Sequence, residues 1–511
     1  MSFNHALPFV ARWLKRPVRV IIMLGLVAAG LATISRHLAI AMAALGCLYW
    51  CVRIERRHFD QLAMPPLVLF GFQHVLSNGL GLPLIWLGMS MHGIMREGEM
   101  QAIWQTQVAH AIAFPLLVVG YLLGRAGSPK FSLGENATER AGTFRILSMV
   151  GWFLLAYFII STAGGVGTGA SDRSRILEFL DRGFGVWSWF KLFPRLNSLF
   201  FLLAPLMFSR AGNLGRLVLG ATIGGAFGFY LLSGSRSGLL LPVCFLFIGW
   251  WMFYPHSRRV FRYAGLVAAL AVPYIVLVPF YRSTAAFGDS QQTDWRARLA
   301  AVDAILPFVR ETELGGTLQL TGEGLHGLSD REIFLQTPET LPHVGWQNLD
   351  RLKTFWLPSI VSPDKASLLD GNEIVQGYRP NDFVFGAGIS FTADMFRRFD
   401  WSGVAIGSLV LGIFLGFIYR LAFRAQRGRR RVFATIFVLY GITYLCSTPY
   451  LTLLETCWIW LWEMPKHLLV LFFLTAFASV LYRRSRSERI AGDELTPVPS
   501  QPVLAGRCAT L

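Results

Sequence analysis

The sequence predicts an all-α polytopic integral membrane protein of about twelve transmembrane helices, with one long external segment between spans 9 and 10. Three observations carry that prediction. Hydrophobic residues make up 54% of the 511 positions and charged residues 15%, a balance outside the range of soluble globular domains. Apolar runs of about 20 residues, the length that crosses a bilayer, recur along the chain. Lys and Arg are not spread evenly but gather at every second connection between those runs.

In order, the apolar runs lie at 18–34, 38–52, 64–87, 107–124, 146–163, 193–208, 217–232, 237–254, 263–281, 401–420, 432–449 and 466–482. The first, in "VRVIIMLGLVAAGLATI", is followed by Ser-Arg-His and not by a small-residue cleavage site, so it reads as a span and not as a cleaved signal. Basic clusters stand at 12–19, in "RIERR", at 125–145, in "SRRVFR", in "RLAFRAQRGRRR" and in "RRSRSER". By the positive-inside rule they mark the cytoplasmic side, which puts both termini inside. The net charge of +17 then serves orientation and contact with anionic membrane lipids, and no nucleic acid is expected as a partner.

The chain divides accordingly. Residues 1–281 hold spans 1 to 9, with an external loop at 164–195. Residues 282–400 form the long external segment, which carries more than half of the 30 acidic residues. Residues 401–482 hold spans 10 to 12. Residues 483–511 mix Pro, Ser and charges of both signs without an apolar stripe, and read as a disordered cytoplasmic tail. Cys47, Cys51, Cys244, Cys446 and Cys457 fall in or beside apolar runs and Cys508 in the tail. None has metal-ligand spacing, and Cys47 with Cys51 reads as two small apolar residues on one helix face. There is no His-x-x-x-His, no DxD and no P-loop, so no metal or other cofactor is expected, and an activated substrate must bring its own energy.

The stretch "FYLLSGSRSGLLLPVCF" sets Arg236 at the tip of a tight hairpin between spans 7 and 8. Gly234 and Gly238 permit the turn, and Ser235 or Ser237 can cap the outward-pointing N-terminus of span 8. Free N–H groups, the positive helix end and a guanidinium together suit a phosphate. The bland alternative is an arginine that snorkels to lipid headgroups. Arg282, directly after span 9, and Arg173 with Arg175 in "GASDRSRILEF" lie at the same face. Several cations at one level fit a ligand with more than one phosphate, although each alone reads as a helix anchor or solvated surface. "GFGVWSWFKLFPR", with Lys191 and Arg195, reads as an interfacial helix or an aromatic belt. In the long segment, "DWRARLAAVDAILPFVRETE" is helix-like, while "LTGEGLHGLSDREIF" reads as an irregular, glycine-rich stretch. It places Glu323 and His326 three apart, a candidate general-base arrangement. Asp294, Asp303 and Asp394 compete for that role, and a lone loop histidine is more often only a hydrogen-bonding residue.

The Ser-Arg-Ser-Gly-Leu-Leu hairpin, the long loop after the next span, and "GISFTADMFRRFDWSGVAIGSLVLGIFLGFIYRL" entering the following span resemble the bacterial Wzy-type O-antigen and oligosaccharide repeat-unit polymerases. The resemblance covers roughly 200–425. It implies a metal-independent glycosyltransferase of the bacterial inner membrane that joins undecaprenyl-diphosphate-linked oligosaccharides at the periplasmic face, so the loops at 164–195 and 282–400 become periplasmic. It also implies a chain-length regulator and a flippase as partners, and assigns the diphosphate to Arg236 and, by location, to Arg282. Glu323 or His326 would take the proton of the acceptor hydroxyl. An O-antigen ligase shares this architecture and donor, and a lipid-linked oligosaccharide flippase is the rival of another class, although no internal repeat is visible.

Overall fold

The computed structural model of the chain describes residues 35–58, 66–92, 98–127, 137–163, 196, 199–232, parts of 242–254, 303, 305–326, 330–353, 388–424 and 451–495. Among the described residues there is no β-strand, and six helical stretches are long and apolar enough to cross a membrane. The predicted runs at 18–34, 263–281 and 432–449 lie outside the described residues.

Two contacts fix how the first helices run. Helix α1 (Arg36–His58) and helix α4 (Glu99–Gly124) meet at one end through the Arg36 guanidinium, 4.5 Å above the Trp104 ring. At the other end Arg125 donates from Nη1 to Glu55 Oε1 at 2.7 Å. They are therefore parallel, and we call the Arg36 end the upper one. Between them the chain climbs through α2 (Pro66–His74), a π-helical turn (Val75–Gly81) and α3 (Leu82–His92). Helix α5 (Ala137–Ala163) rises again, packed against α6 (Leu199–Arg210) through Gly151 and Met207, and α7 (Asn213–Leu232) follows. The last helix starts as α12 (Leu453–Trp458), passes a second π turn (Ile459–Glu463) and ends as α13 (Met464–Leu495). It descends along α5, with Phe153 and Phe477 at 5.6 Å.

Each π turn has a local cause. Gly81 and Glu463 close the two turns, and Pro83 and Pro465 stand two residues later. A proline removes one i→i−4 bond and crowds the carbonyl four residues back. Widening the preceding turn to an i→i−5 pattern relieves this, as in the bonds from Leu82 N to Ser77 O and from Met464 N to Ile459 O.

Helix α11 (Phe391–Arg424) is not one rod. Its backbone leaves helical geometry at Phe399 and at Asp400, which has φ 59°. A Cβ on Gly407 would lie 3.4 Å from Phe391, yet sixteen residues span about 24 Å on a straight helix. The arm 391–398 therefore folds back along the arm that begins at Trp401, and only the second arm descends as a span. This reversal coincides with the predicted start of span 10. The descending arm packs parallel to α4 through two facing glycine pairs, Gly120 with Gly124 and Gly412 with Gly416. A Cβ on any of the four would collide with the opposite backbone. Small residues at i and i+4 let membrane helices approach this closely.

Of the stretch read as irregular, residues 320–326 and 330–334 are helical. Helix α9 (Leu314–His326) follows the short α8 (Ile305–Glu311) and packs antiparallel on α3, with Gly315 by Gly88 and Gly322 by Gly81. Helix α10 (Asp330–Gln336) returns upward, so that Leu335 lies 3.1 Å from the Cβ position of Gly98. The glycines that suggested a loop serve interhelical contact instead: a Cβ on Gly322 would come within 2.6 Å of Gly81 O and Ile85 N. The predicted tail also changes, because α13 continues to Leu495. Its sequence places Arg484 and Glu488 four apart, a pairing that supports helix.

Candidate functional site

Two elements, the descending and returning pair α9–α10 and the rising arm of α11, meet beside the middle of α4. His110 lies eleven residues after Glu99, about 16 Å down the helix axis. Its Nε2 is 2.8 Å from Asp330 Oδ2, at the start of α10. Asp330 is fully buried and also accepts the Ser390 N–H at 2.7 Å. Burial alone would raise its carboxyl. The hydrogen bond from His110, the positive charge that His110 and His326 carry when protonated, and the Ser390 N–H outweigh burial and hold it below the ordinary range. An ionised carboxylate only accepts, so His110 must carry a proton on Nε2, which leaves Nδ1 as the basic atom of the neutral ring.

His326, at the lower end of α9, is buried, and its Nδ1 is 2.8 Å from Ser77 Oγ on the π turn. The Ser77 hydroxyl also lies 3.3 Å from the His326 carbonyl, which can accept from it. The His326 Nε2 has no hydrogen-bond partner among the described residues. The His110 and His326 rings approach edge to face, 6.3 Å apart. On the other side of His110, His74 stacks on Phe114 at 4.4 Å and pairs with Asn78 at 3.1 Å.

Asp394, on the rising arm of α11, accepts from Arg397 at 2.7 Å, from Arg398 at 3.1 Å and from Leu453 N at 2.9 Å. Arg398 is fully buried and also donates to the carbonyls of Gly345 and Gln347. These contacts lock the arm to α12 and to the 345–347 turn, so Asp394 is occupied as a structural tie and is a poor candidate base.

The predicted site residues fare unequally. His326 belongs to the buried cluster. Glu323 sits on α9 but turns elsewhere, accepting from Gln319 at 3.2 Å and facing Arg331 at 3.5 Å, one-third exposed. The two are not brought into one hydrogen-bonded pair by the contacts they make. Asp303 is exposed. Arg236, Ser235, Ser237, Arg282, Arg173, Arg175 and Asp294 lie outside the described residues, as does the 164–195 loop. His110, Asp330, Ser77, His74 and Asn78 were missed. For His74, Ser77, Asn78 and His110 the available signal was their polarity inside the apolar runs 64–87 and 107–124, since polar and ionisable groups within spans are costly and are retained for a role; Asp330, in the long segment, carried no such signal.

The buried ring of His326 gives a pH prediction. Burial lowers its pKa from 6.5 to about 4, with the Asp330 charge pulling weakly upward. Between those values the unfolded chain binds a proton that the folded chain refuses. The stabilisation is therefore complete above pH 6.5 and is lost as pH falls toward 4, by at most about 3 kcal/mol. The melting temperature of detergent-solubilised protein should drop over that window in the wild type and much less in His326→Gln. A flat wild-type profile would contradict the neutral buried ring.

No protein-family model, curated protein or solved structure matches the chain.

Proposed function

We propose that the protein joins undecaprenyl-diphosphate-linked oligosaccharide repeat units, extending O-antigen or exopolysaccharide chains at the periplasmic face of a bacterial inner membrane. The observation that supports this most is the pair His110–Asp330, built where a segment predicted to be periplasmic re-enters the bundle. The lower end carries Arg125, and the stretches after Arg424 and around Arg483 are basic, so the positive-inside rule makes the upper end external.

The reaction needs a base for the acceptor hydroxyl and fixed cations for the leaving diphosphate. His110 has its Nδ1 lone pair available as base. As the ring becomes imidazolium, Asp330 stabilises it without moving, because it already accepts from Nε2. Charge growing on the diphosphate oxygen would be met by the cations the sequence offers for it, Arg236 and Arg282 first and Arg173 and Arg175 after them. Fixed cations in a partly dry site stabilise such charge more than water does. A chain-length regulator and a flippase are the partners this reading requires. A ligase would use the same donor and the same base on a lipid acceptor.

One observation favours a second reading. Re-entrant segments that meet near the middle of a span are also how transporters build sites, which suits a carrier-lipid flippase. Purified protein in nanodiscs, given carrier-linked repeat units, should produce a ladder of elongated glycans, and a deletion strain should display single-unit chains. Glycan transfer to a lipid acceptor without a ladder would indicate the ligase. Carrier translocation across proteoliposomes without any bond formation would replace the polymerase by the transporter.

A further inference from the structure

Between α2, the first π turn, α4 and α11 lies a cavity of about 40 Å³, lined by His74, Asn78, His110, Thr392 and Ser408 with Phe114 and Leu117 among its apolar walls. Asn78 is 3% exposed, and its Oδ1 has no hydrogen-bond partner among the described residues. A bare carbonyl oxygen among buried membrane helices is costly. At 10–15 Å³ per water, the volume admits about three, and five polar residues among the apolar walls offer them partners. A dry cavity would be apolar throughout, and this one is not.

We propose that this cavity is a hydration site, holding about three waters against Asn78 Oδ1 and the hydroxyls of Thr392 and Ser408, where the imidazole of His110 exchanges its proton with water inside the bundle. Asp330 occupies one edge of that ring, and the waters serve the other. In the proposed glycosyl transfer the proton of the acceptor hydroxyl passes to His110 and then to this water. That role rests on the polymerase reading, whereas the hydration itself does not.

The test is radiolytic hydroxyl labelling of the full-length protein in nanodiscs with ¹⁸O water. Phe114 and Leu117, 8% and 6% exposed, should label well above Phe158, which is 5% exposed in the packed core. Ala113→Leu, which grows into the cavity from α4, should reduce their labelling to the level of the packed residues. Ser408→Leu does the same from α11 and covers the case in which the first variant does not fold. Wild-type Phe114 and Leu117 labelling no faster than Phe158 would overturn the site outright. Labelling that persists in both filled, folded variants would also overturn it. Because no turnover is read, a failed elongation assay beside normal labelling removes the polymerase reading and leaves the hydration site standing.

Discussion

Under the proposed polymerase function, Asp330→Asn should insert and purify like the wild type while losing elongation activity by about 10³- to 10⁴-fold. Asparagine fills the same volume, and its single oxygen can keep the Ser390 N–H bond that Asp330 makes at 2.7 Å. Its amide nitrogen then faces His110 and donates where the carboxylate accepted. The imidazole must respond by moving its proton to Nδ1, which removes the lone pair from the atom assigned as base. The ring also loses the fixed negative charge that stabilises imidazolium. Asp330→Ala is the harsher and less informative change. It strands the His110 and Ser390 donors in a buried site, at a cost of about 3 kcal/mol or more, and should appear first as lost protein. Elongation by purified Asp330→Asn at the wild-type rate would exclude this pair from the chemistry and return Glu323 and His326 to consideration.

Gly412→Leu should abolish folding altogether. The first side-chain carbon would overlap the Leu117 carbonyl oxygen and press on Tyr121 N, both backbone atoms of α4 that cannot rotate away. Relief would require α4 and α11 to separate along the length defined by Gly120, Gly124, Gly412 and Gly416. That motion would also pull Ser390 and Asp330 away from His110. Even Gly412→Ala should cost about 3 kcal/mol, the upper part of the overpacking range, because no flexible side chain is available to yield. Gly224 and Gly228 on α7 meet nothing within 4 Å among the described residues and provide the control, since alanine at either should be nearly neutral. The readout is the monodisperse fraction on size exclusion after detergent extraction. A well-behaved Gly412→Leu protein would mean that the two helices do not pack through their glycines.

The sequence by itself determined the membrane character, the positions of spans such as 38–52, 64–87 and 107–124, and the place near residue 400 where the long segment gives way to a descending helix. These are one-dimensional properties. Run length decides whether a helix can cross a bilayer, and basic residues sort by side, with no reference to what any helix touches. It also held a signal that local rules misread. Gly322 looks like a loop signal until the facing Gly81 on another helix is known, because the same missing side chain serves a turn and a close approach. What only the tertiary structure decided is the site. His110 meets Asp330 across 220 positions, and Ser77 meets His326 across 249. A histidine inside an apolar run announces that it needs a partner, but which partner depends on how α9 and α10 re-enter beside α4, and close packing between distant helices sets that path.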